Sequence, residues 1–147
     1  MKNLTNLLRL AALCCLLSTV VGCATSGQKF SEMNLAQTPP PAGQGRILLY
    51  RTTVMGAAVQ PQIKVNGEAI GKATPRGFYI VDRPPGTYEI VTSTEVTRKL
   101  SLLLDPGQTR YVRLNIGMGF FVGHVYPELI DPTAGEKEIQ SCHLIAK

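Results

Sequence analysis

The sequence contains few of the residues on which enzyme chemistry depends. It has only two histidines, His124 and His143, and no Gly-x-Ser-x-Gly motif. A metal site needs three or four ligands at workable spacing, and the histidines, cysteines and acids show no such spacing. No set of Ser, His and Asp stands out as a catalytic triad either. We therefore expect no catalytic residues, no metal, no cofactor and no enzyme activity.

The chain also lacks an apolar run that is long enough for a permanent transmembrane helix. Its N-terminal run, residues 10–21, has about 12 residues, whereas a bilayer-spanning helix needs roughly 20. Lys2 and Arg9 precede this run and Gly22 follows it, which is the order of charged, apolar and small residues in an export signal. We predict that residues 1–22 are a signal peptide.

Positive charge is too dispersed to indicate nucleic-acid binding. Lys2 and Arg9 account for two of the five excess charges, and the rest of the chain has no basic run. Two interpretations are open for six cations of the predicted strands and turns: Arg76, Arg83, Arg98, Lys99, Arg110 and Arg113. They either gather at one end of the fold to bind lipid phosphates, or they form a mixed-charge surface that keeps the domain soluble.

The residues that end the signal resemble a known motif. Val20-Val21-Gly22-Cys23 is similar to the lipobox of bacterial lipoproteins, in which Leu is commoner than Val at the first position. The resemblance implies that the Cys23 thiol receives a diacylglycerol, that the chain is cut before Cys23, and that the new amine is acylated. Two or more acyl chains anchor a protein stably, whereas one holds it only reversibly. The alternative is an ordinary secretory signal with Cys23 as an incidental thiol.

The residue after this cysteine bears on location. By resemblance to enteric lipoproteins, Ala24 in place of Asp favours export to the outer membrane. We expect a protein that is lipid-anchored at the bacterial outer membrane and faces the periplasm. The expected partners are the membrane, through the lipid anchor, and an envelope protein, and no nucleic acid is expected there.

The four cysteines leave no pair for an internal disulfide. Cys14 and Cys15 are removed with the signal, and Cys23 is the predicted lipid attachment site. Cys142 is then the only free thiol in an oxidising compartment. We predict a buried, inert Cys142, with an intermolecular disulfide or a reactive thiol as the alternative.

Composition divides the mature chain into a tether and a body. Residues 23–44 are polar, with three consecutive prolines at 39–41, so we predict a flexible lipidated tether there. Residues 45–147 are predicted to form one β-sandwich domain of unknown function, which is large enough for a single core.

The body is patterned for strands throughout. Asn66-Gly67 is the strongest short hairpin signal in the chain, and proline and glycine combine in turns at 84–86 and 105–107. Apolar or alternating segments between the turns predict strands at 46–54, 62–65, 68–72, 77–81, 87–94, 99–105, 108–116 and 122–130. The last of these contains a proline, which favours a sheet edge. We predict an all-β fold, an antiparallel β-sandwich of about seven or eight strands, with a short helical turn at 136–141.

Several of these segments resemble a known module. Residues 63–71 (IKVNGEAIG), a Gly-Phe-Tyr strand at 77–79 and the segment PGTY at 85–88 are similar to PEGA-type repeats, small β-sandwiches related to transthyretin-like folds. Residues 45–145 as a whole resemble a family of small bacterial lipoproteins that is classed only as a domain of unknown function. The further marks of that resemblance are Gly45-Arg46, YVR at 111–113, GFFVG at 119–123 and Cys142. The resemblance implies a fold and an envelope location, and it brings no catalytic residues.

The most unusual stretch of the body is 117–123. Three glycines flank the adjacent aromatics Phe120 and Phe121, whose side chains point to opposite faces in an extended chain. One interpretation is a flexible apolar loop that docks a partner, a ligand or the membrane. The other is a bulged strand crossing with both rings packed inside.

Two functions follow as hypotheses. The first is a non-enzymatic interaction or structural module at the outer membrane, which contacts a protein through Phe120 and Phe121 or through an exposed sheet edge. The alternative is a binding protein for a small envelope ligand, a lipid or a glycan. That function needs a concave apolar pocket with a few converging polar groups.

Overall fold

The structure, a computed structural model, describes residues 27–118 and 123–146. A short 3-10 helix at Phe30–Glu32 comes first. The strands and the α-helix that follow are β1 (Gly45–Tyr50), β2 (Gln62–Val65), β3 (Glu68–Lys72), β4 (Gly77–Arg83), β5 (Gly86–Ser93), β6 (Thr97–Leu104), β7 (Thr109–Gly117), β8 (His124–Ile130), α1 (Pro132–Ile139) and β9 (His143–Leu144). No described helix has both the length and the apolar character that crossing a bilayer requires.

The strands form two packed sheets, which confirms the β-sandwich prediction. One sheet has five strands in the order β8-β7-β1-β4-β9, and the other has four in the order β3-β2-β5-β6. The four-stranded sheet is antiparallel, as predicted, whereas in the five-stranded sheet β1 pairs with β7, and β4 with β9, in parallel. Parallel neighbours need a long crossover. Here the chain between β1 and β7 runs mostly through the strands of the opposite sheet. Alternation within a single strand does not show in which direction its neighbour runs, so the parallel pairing was not predicted.

The Asn66-Gly67 turn forms where the sequence predicts it. Asn66 and Gly67 both have positive φ, 48° and 84°, and they close the β2–β3 hairpin. This backbone matches the right-handed twist of the two strands. Strand β8, which contains Pro127, lies at an edge of the five-stranded sheet, so its predicted edge position is confirmed.

The main core lies between the sheets. It is built from alternate residues of β1, β2 and β4 to β8, with side chains that are almost entirely buried: Ile47, Leu49, Ile63, Val65, Tyr79, Val81, Ile90, Leu102, Leu104, Val112, Leu114 and Val125. Since successive side chains of a strand point to opposite faces, Leu48 and Tyr50 of β1 point away from this core. They are nevertheless fully buried, because further chain covers the outer face of the five-stranded sheet.

Helix α1 covers part of that outer face. Pro132 stands at its first turn and Asp131 caps it, the Asp131 carboxylate accepting from the Thr133 and Ala134 N–H groups. The helix therefore begins four residues before the predicted turn at 136–141. A side chain at Gly135 would collide with Tyr111, so the close approach of helix and sheet depends on that glycine.

The N-terminal segment covers the rest, which differs from the predicted flexible tether. Phe30 is 2% exposed, and its ring packs edge-on against Phe78 with centroids 5.5 Å apart. The Phe30 N–H donates to the Cys142 carbonyl at 2.9 Å. A single large aromatic side chain anchors a segment whose average composition is polar. The folded unit accordingly includes residues 27–44 and begins before Gly45.

A buried ion pair fixes the far end of the same segment. The Arg46 guanidinium donates to both carboxylate oxygens of Asp82, at 2.7 and 3.0 Å, and to the Thr38 carbonyl at 3.0 Å. This bidentate ion pair is among the stronger kinds of charge-assisted hydrogen bond. It ties β1 and β4 to the chain that precedes the three prolines.

Candidate functional site

The sandwich has one side on which no described segment extends either sheet. Strands β6 and β8 are the last strands of their sheets, and they contact each other across the sandwich. We call this pair of strands the open edge. Unpaired edge strands present free backbone N–H and C=O groups, which is why they are common sites of protein contact.

The open edge contains a groove. Its volume is about 370 Å³, and it is lined by Arg98 and Lys99 of β6 and by Tyr126 and Pro127 of β8. Lys99 is held by the Glu89 carboxylate at 3.1 Å, whereas Arg98 forms no ion pair with a described residue. The groove therefore joins an aromatic wall to one uncompensated positive charge.

Exposed apolar side chains are concentrated at two places in the described chain. Four lie on or next to the open edge: Val96 (43% exposed), Leu103 (54%), Tyr126 (38%) and Leu129 (39%). Three lie where β1, β3, β5 and β7 end: Val54 (55%), Met55 (72%) and Met118 (100%). We call the second place the loop end; it comprises the loops 51–61 and 73–76 and the adjoining ends of β7 and β8.

A buried arginine organises the loop end. Arg51 is 0% exposed and has no carboxylate partner among the described residues. Its guanidinium donates to four backbone carbonyls, those of Val59, Ala73, Met55 and Gly56, at 2.7 to 3.0 Å. Burial lowers the pKa of Arg51 from its ordinary value. These bonds hold the loop 51–61 against the β3–β4 turn and so keep Val54 and Met55 in place.

The same loop reaches β7 and β8. A side chain at Gly56 would stand 3.0 Å from the Ile116 Cδ1 atom, and one at Gly123 would stand 3.9 Å from Val59 Cγ2. Next to them, the Thr94 hydroxyl lies 3.3 Å from the His124 ring. The loop end is thus a contiguous surface around the bases of the stretch 117–123.

A cluster of titratable groups lies on the outer face of the five-stranded sheet. Glu138 of α1 accepts from the Tyr50 hydroxyl at 2.8 Å and from Arg113 at 2.8 Å. Arg113 also donates to Glu128 at 2.9 Å, and Asn115 donates to the same carboxylate. Burial and the bond to Glu138 raise the pKa of Tyr50, and the bond to Glu128 raises that of Arg113. Both acids are engaged by donors, so the cluster clamps α1 onto the sheet and offers no free acid or base.

The prediction that Cys142 is buried is confirmed. Its side chain is 0% exposed and its Sγ atom lies 3.6 Å from the Arg51 carbonyl oxygen. Burial raises the pKa of the Cys142 thiol to about 12. A thiol with so high a pKa is almost entirely protonated at neutral pH and is a poor nucleophile.

The two histidines lie apart and serve different contacts. His124 faces Thr94, whereas the Nδ1 atom of His143 is 3.0 Å from the Gly27 carbonyl oxygen. The described residues contain no group of three or more metal-ligating side chains that could hold an ion.

The six cations considered from the sequence do not gather at one end. Arg83 pairs with Glu68, Lys99 with Glu89, and Arg113 with both Glu128 and Glu138. Arg110 donates to the Leu103 carbonyl. This distribution favours the mixed-charge interpretation for the set as a whole and leaves Arg76 and Arg98 without ion pairs among the described residues.

Three residues singled out from the sequence lie outside the described residues. They are the predicted lipid attachment site Cys23 and the predicted interaction residues Phe120 and Phe121. Their roles stay predictions. Sequence reasoning, for its part, missed Arg51 and Phe30: each is a single residue whose burial depends on distant chain, and no local pattern distinguishes it from an exposed neighbour.

Comparison with known proteins places the chain in a family. The family described as "Protein of unknown function (DUF2846)" matches residues 41–125, which is more than half of the 147-residue chain. An "Uncharacterized protein" of Haemophilus influenzae (strain ATCC 51907 / DSM 11121 / KW20 / Rd) is 24% identical over 106 residues; the match covers 71% of this chain and 63% of that relative's length. No solved structure matches the chain. The protein belongs to the DUF2846 family.

Proposed function

We propose that the protein is a bacterial envelope lipoprotein, anchored to the outer membrane through Cys23, that acts as a non-enzymatic interaction or structural module. One observation carries the interaction role: four of the seven large apolar side chains that the described residues expose lie on or beside the open edge. No described strand pairs with the outer sides of β6 and β8, and a groove with an aromatic wall runs between them. These are the features by which a sheet edge receives another protein.

Strand β6 is the better of the two for pairing with a partner strand. It has eight residues and no proline, whereas β8 is interrupted by Pro127, which has no N–H to donate. Leu103 is 54% exposed beside this edge and offers an apolar contact for the partner's side chain. We therefore place the partner's strand along β6, with Tyr126 contacting it from β8.

Lipid attachment supplies the second half of the proposal. The apolar run 10–21 and the lipobox-like residues 20–23 support cleavage before Cys23 and acylation of that residue. Confinement to a membrane surface raises the effective concentration of an interaction module for partners in the same layer. Metabolic labelling with a clickable palmitate tests this: the wild-type chain should incorporate label and Cys23→Ser should not. Equal labelling of the two would contradict the anchor.

The interaction role is tested by photocrosslinking in intact cells. A photoreactive residue in place of Leu103 or Tyr126 should capture a defined envelope protein as a discrete adduct. The matched control replaces Lys64, which is exposed on the outer face of β2, an interior strand of its sheet. Adducts of equal yield at all three positions, or none at Leu103 and Tyr126, would contradict docking at the open edge.

The finer fold assignment belongs to the same proposal. The Asn66-Gly67 hairpin between β2 and β3 and the PGTY segment at 85–88 support a PEGA-like, transthyretin-related sandwich. Superposition of an experimental structure on PEGA modules tests it, since a different strand order in the β2-to-β5 region would exclude the relationship.

The groove favours one alternative function, the binding of a small envelope ligand. Its volume of about 370 Å³ lies within the ordinary range of ligand pockets. Arg98 and Tyr126 line it, which suits an anionic lipid headgroup or glycan. Titration with a short-chain phosphatidylglycerol would shift the amide resonances of β6 and β8 in the wild type and not in Arg98→Gln. Shifts that are spread evenly over the protein would contradict this alternative.

A further inference from the structure

The N-terminal part of the described chain is fixed to the edge of the five-stranded sheet. Leu144 of β9 donates its N–H to the Gln28 carbonyl at 2.9 Å, and Lys29 forms a bridge with His143. A side chain at Gly27 would collide with the Leu144 carbonyl, so Gly27 itself lies tightly against β9. We call β9 together with residues 27–30 the covered edge. The folded unit therefore reaches back to Gly27.

This fixes how far the body can stand from its anchor. Four residue steps separate Cys23 from Gly27, and a fully extended chain covers at most about 14 Å in four steps. A lipid on Cys23, which is the proposed function on which this inference rests, would keep Gly27 within that distance of the lipid headgroups. The surface near Gly27 must then lie on or close to the membrane.

That surface is basic. The Arg76 carbonyl accepts the His143 N–H at 2.8 Å, and Lys72 ends β3 just before the β3–β4 turn that contains Arg76. Lys29, Lys72 and Arg76 are all exposed, and none forms an ion pair with another described residue. Glu32, whose carboxylate accepts the Lys29 N–H at 3.4 Å, is the acid in contact with this group. We call Lys29, Lys72 and Arg76 the basic corner.

An apolar loop stands next to the basic corner. The Arg51 guanidinium bonds the carbonyl of Ala73, in the β3–β4 turn, and the carbonyl of Met55. The turn with Arg76 and the loop with Val54 and Met55 are thus held together by one side chain. Exposed apolar side chains beside clustered cations are the pattern of a surface that lies on an anionic bilayer, the first entering the headgroup boundary and the second meeting phosphates.

We propose that the basic corner and the loop containing Val54 and Met55 rest on the anionic lipid surface to which Cys23 is attached. The strand order places β9 and β8 at opposite ends of the five-stranded sheet. The covered edge therefore faces the membrane. The part of the open edge that carries Leu103 lies at the end of β6 far from the loop end, so it faces away from the membrane and is accessible to a partner. The lipid and the basic corner together fix the orientation of the body, and the lipid alone does not.

The experiment measures which side of the full lipidated chain touches the bilayer. Single cysteines replace Met55 or Leu103, both strongly exposed, and each carries a fluorophore; Cys142 is buried and Cys23 is acylated. The chain is reconstituted in vesicles of phosphatidylcholine with 30% phosphatidylglycerol and a nitroxide headgroup lipid as quencher. We expect strong quenching at position 55 and weak quenching at position 103. Equal quenching, or stronger quenching at 103, would overturn the proposal.

Charge variants isolate the basic corner. In Lys29→Gln/Lys72→Gln/Arg76→Gln the quenching at position 55 should fall, because each basic residue near an anionic surface strengthens its attachment about fivefold. The matched control, Lys64→Gln/Arg83→Gln/Lys137→Gln, removes three cations elsewhere and should keep the wild-type quenching. If quenching at position 55 fell equally in both variants, net charge would be the cause. That result would overturn the proposed role of the basic corner.

Mass spectrometry of each preparation separates the two proposals. A chain without lipid on Cys23 contradicts the proposed anchor. A lipidated chain whose position 55 escapes quenching contradicts only the orientation. Vesicles of phosphatidylcholine alone give a further arm, in which the lipid keeps the chain bound while the difference between positions 55 and 103 should be lost.

Discussion

The covered edge and the open edge of the sandwich differ in what completes them. At the covered edge, residues 27–30 bond to β9, and Phe30 fills the space beside Phe78 and Cys142. At the open edge, β6 and β8 carry half-exposed Leu103, Tyr126 and Leu129, and no described chain pairs with their outer sides. Unprotected edges are a risk that proteins normally manage. Within the described residues, the N-terminal segment closes one edge and leaves the other uncovered, and this difference is the basis of the proposed docking of a partner at the open edge.

The largest expected effect is at the covered edge. Phe30→Ala should lower the free energy of unfolding by about 3–5 kcal/mol, because it removes a buried aromatic ring and leaves a cavity beside Phe78. Chemical denaturation of the full chain measures this. Phe30→Leu keeps most of the apolar volume, so its free energy of unfolding should fall clearly less than that of Phe30→Ala. If Phe30→Ala were as stable as the wild type, residues 27–44 would be a tether after all.

A slightly smaller loss is expected from Arg51, which is linked to both edges. Its carbonyl faces Cys142, which directly precedes β9 of the covered edge, and its guanidinium holds a loop that contacts Ile116 of β7, next to β8. Arg51→Met should cost about 3 kcal/mol, because it leaves several buried carbonyls without a donor. In Arg51→Lys the ammonium group can donate to fewer of the four carbonyls. Its free energy of unfolding should therefore lie between those of Arg51→Met and the wild type. A neutral Arg51→Met would mean that water replaces the guanidinium without loss.

The sequence was informative where structure depends on local pattern. Alternation placed the strands, and the bounds of β2 and β3 match the predicted segments: β2 buries every second side chain, and the Asn66-Gly67 turn fixes where β2 ends and β3 begins. Helix α1 begins at Pro132, four residues before the predicted helical turn, because Asp131 caps it and proline fits the first turn of a helix.

What the sequence did not predict depends on distant chain. Residues 27–44 are polar on average, and they dock through a few scattered residues, chiefly Phe30, which packs against Phe78 and Cys142, with Met33 and Leu35 beside it. Arg51 follows an apolar strand, and an exposed arginine could follow such a strand equally well. The local sequence therefore does not show that Arg51 is buried. The candidate site was only partly anticipated: an exposed sheet edge was expected, but which edge stays open was decided by the packing of the N-terminal segment.

The pH dependence of stability offers a third way to test the covered edge. Burial raises the pKa of Cys142 to about 12 from an ordinary value near 9.0, so above pH 9 the unfolded chain loses this proton while the folded chain keeps it. The folded state then binds more protons, and stability falls as pH rises from 9 towards 12, by at most about 1.4 kcal/mol per unit.

Denaturation curves between pH 8 and 11 check this expectation. Cys142→Ala should be less stable at pH 8 but should show a shallower decline above pH 9, with the buried Tyr50, whose pKa is also raised, supplying part of the remaining slope. Parallel declines in the two proteins would mean that Cys142 titrates normally and that the covered edge opens readily.

The smallest effect on stability is expected at the open edge. This prediction is the most direct test of the difference between the open edge and the covered edge. Leu103→Ser and Tyr126→Ser remove side chains that are 54% and 38% exposed, so each should change the free energy of unfolding by no more than about 0.5 kcal/mol. The same substitutions should abolish the crosslinks formed from a neighbouring position of β6, because a docked partner loses its apolar contacts. A side chain that contributes little to folding and much to capture belongs to an interface. Should Leu103→Ser destabilise the chain as strongly as Phe30→Ala, the edge would be part of the core, and the distinction between the two edges would fail.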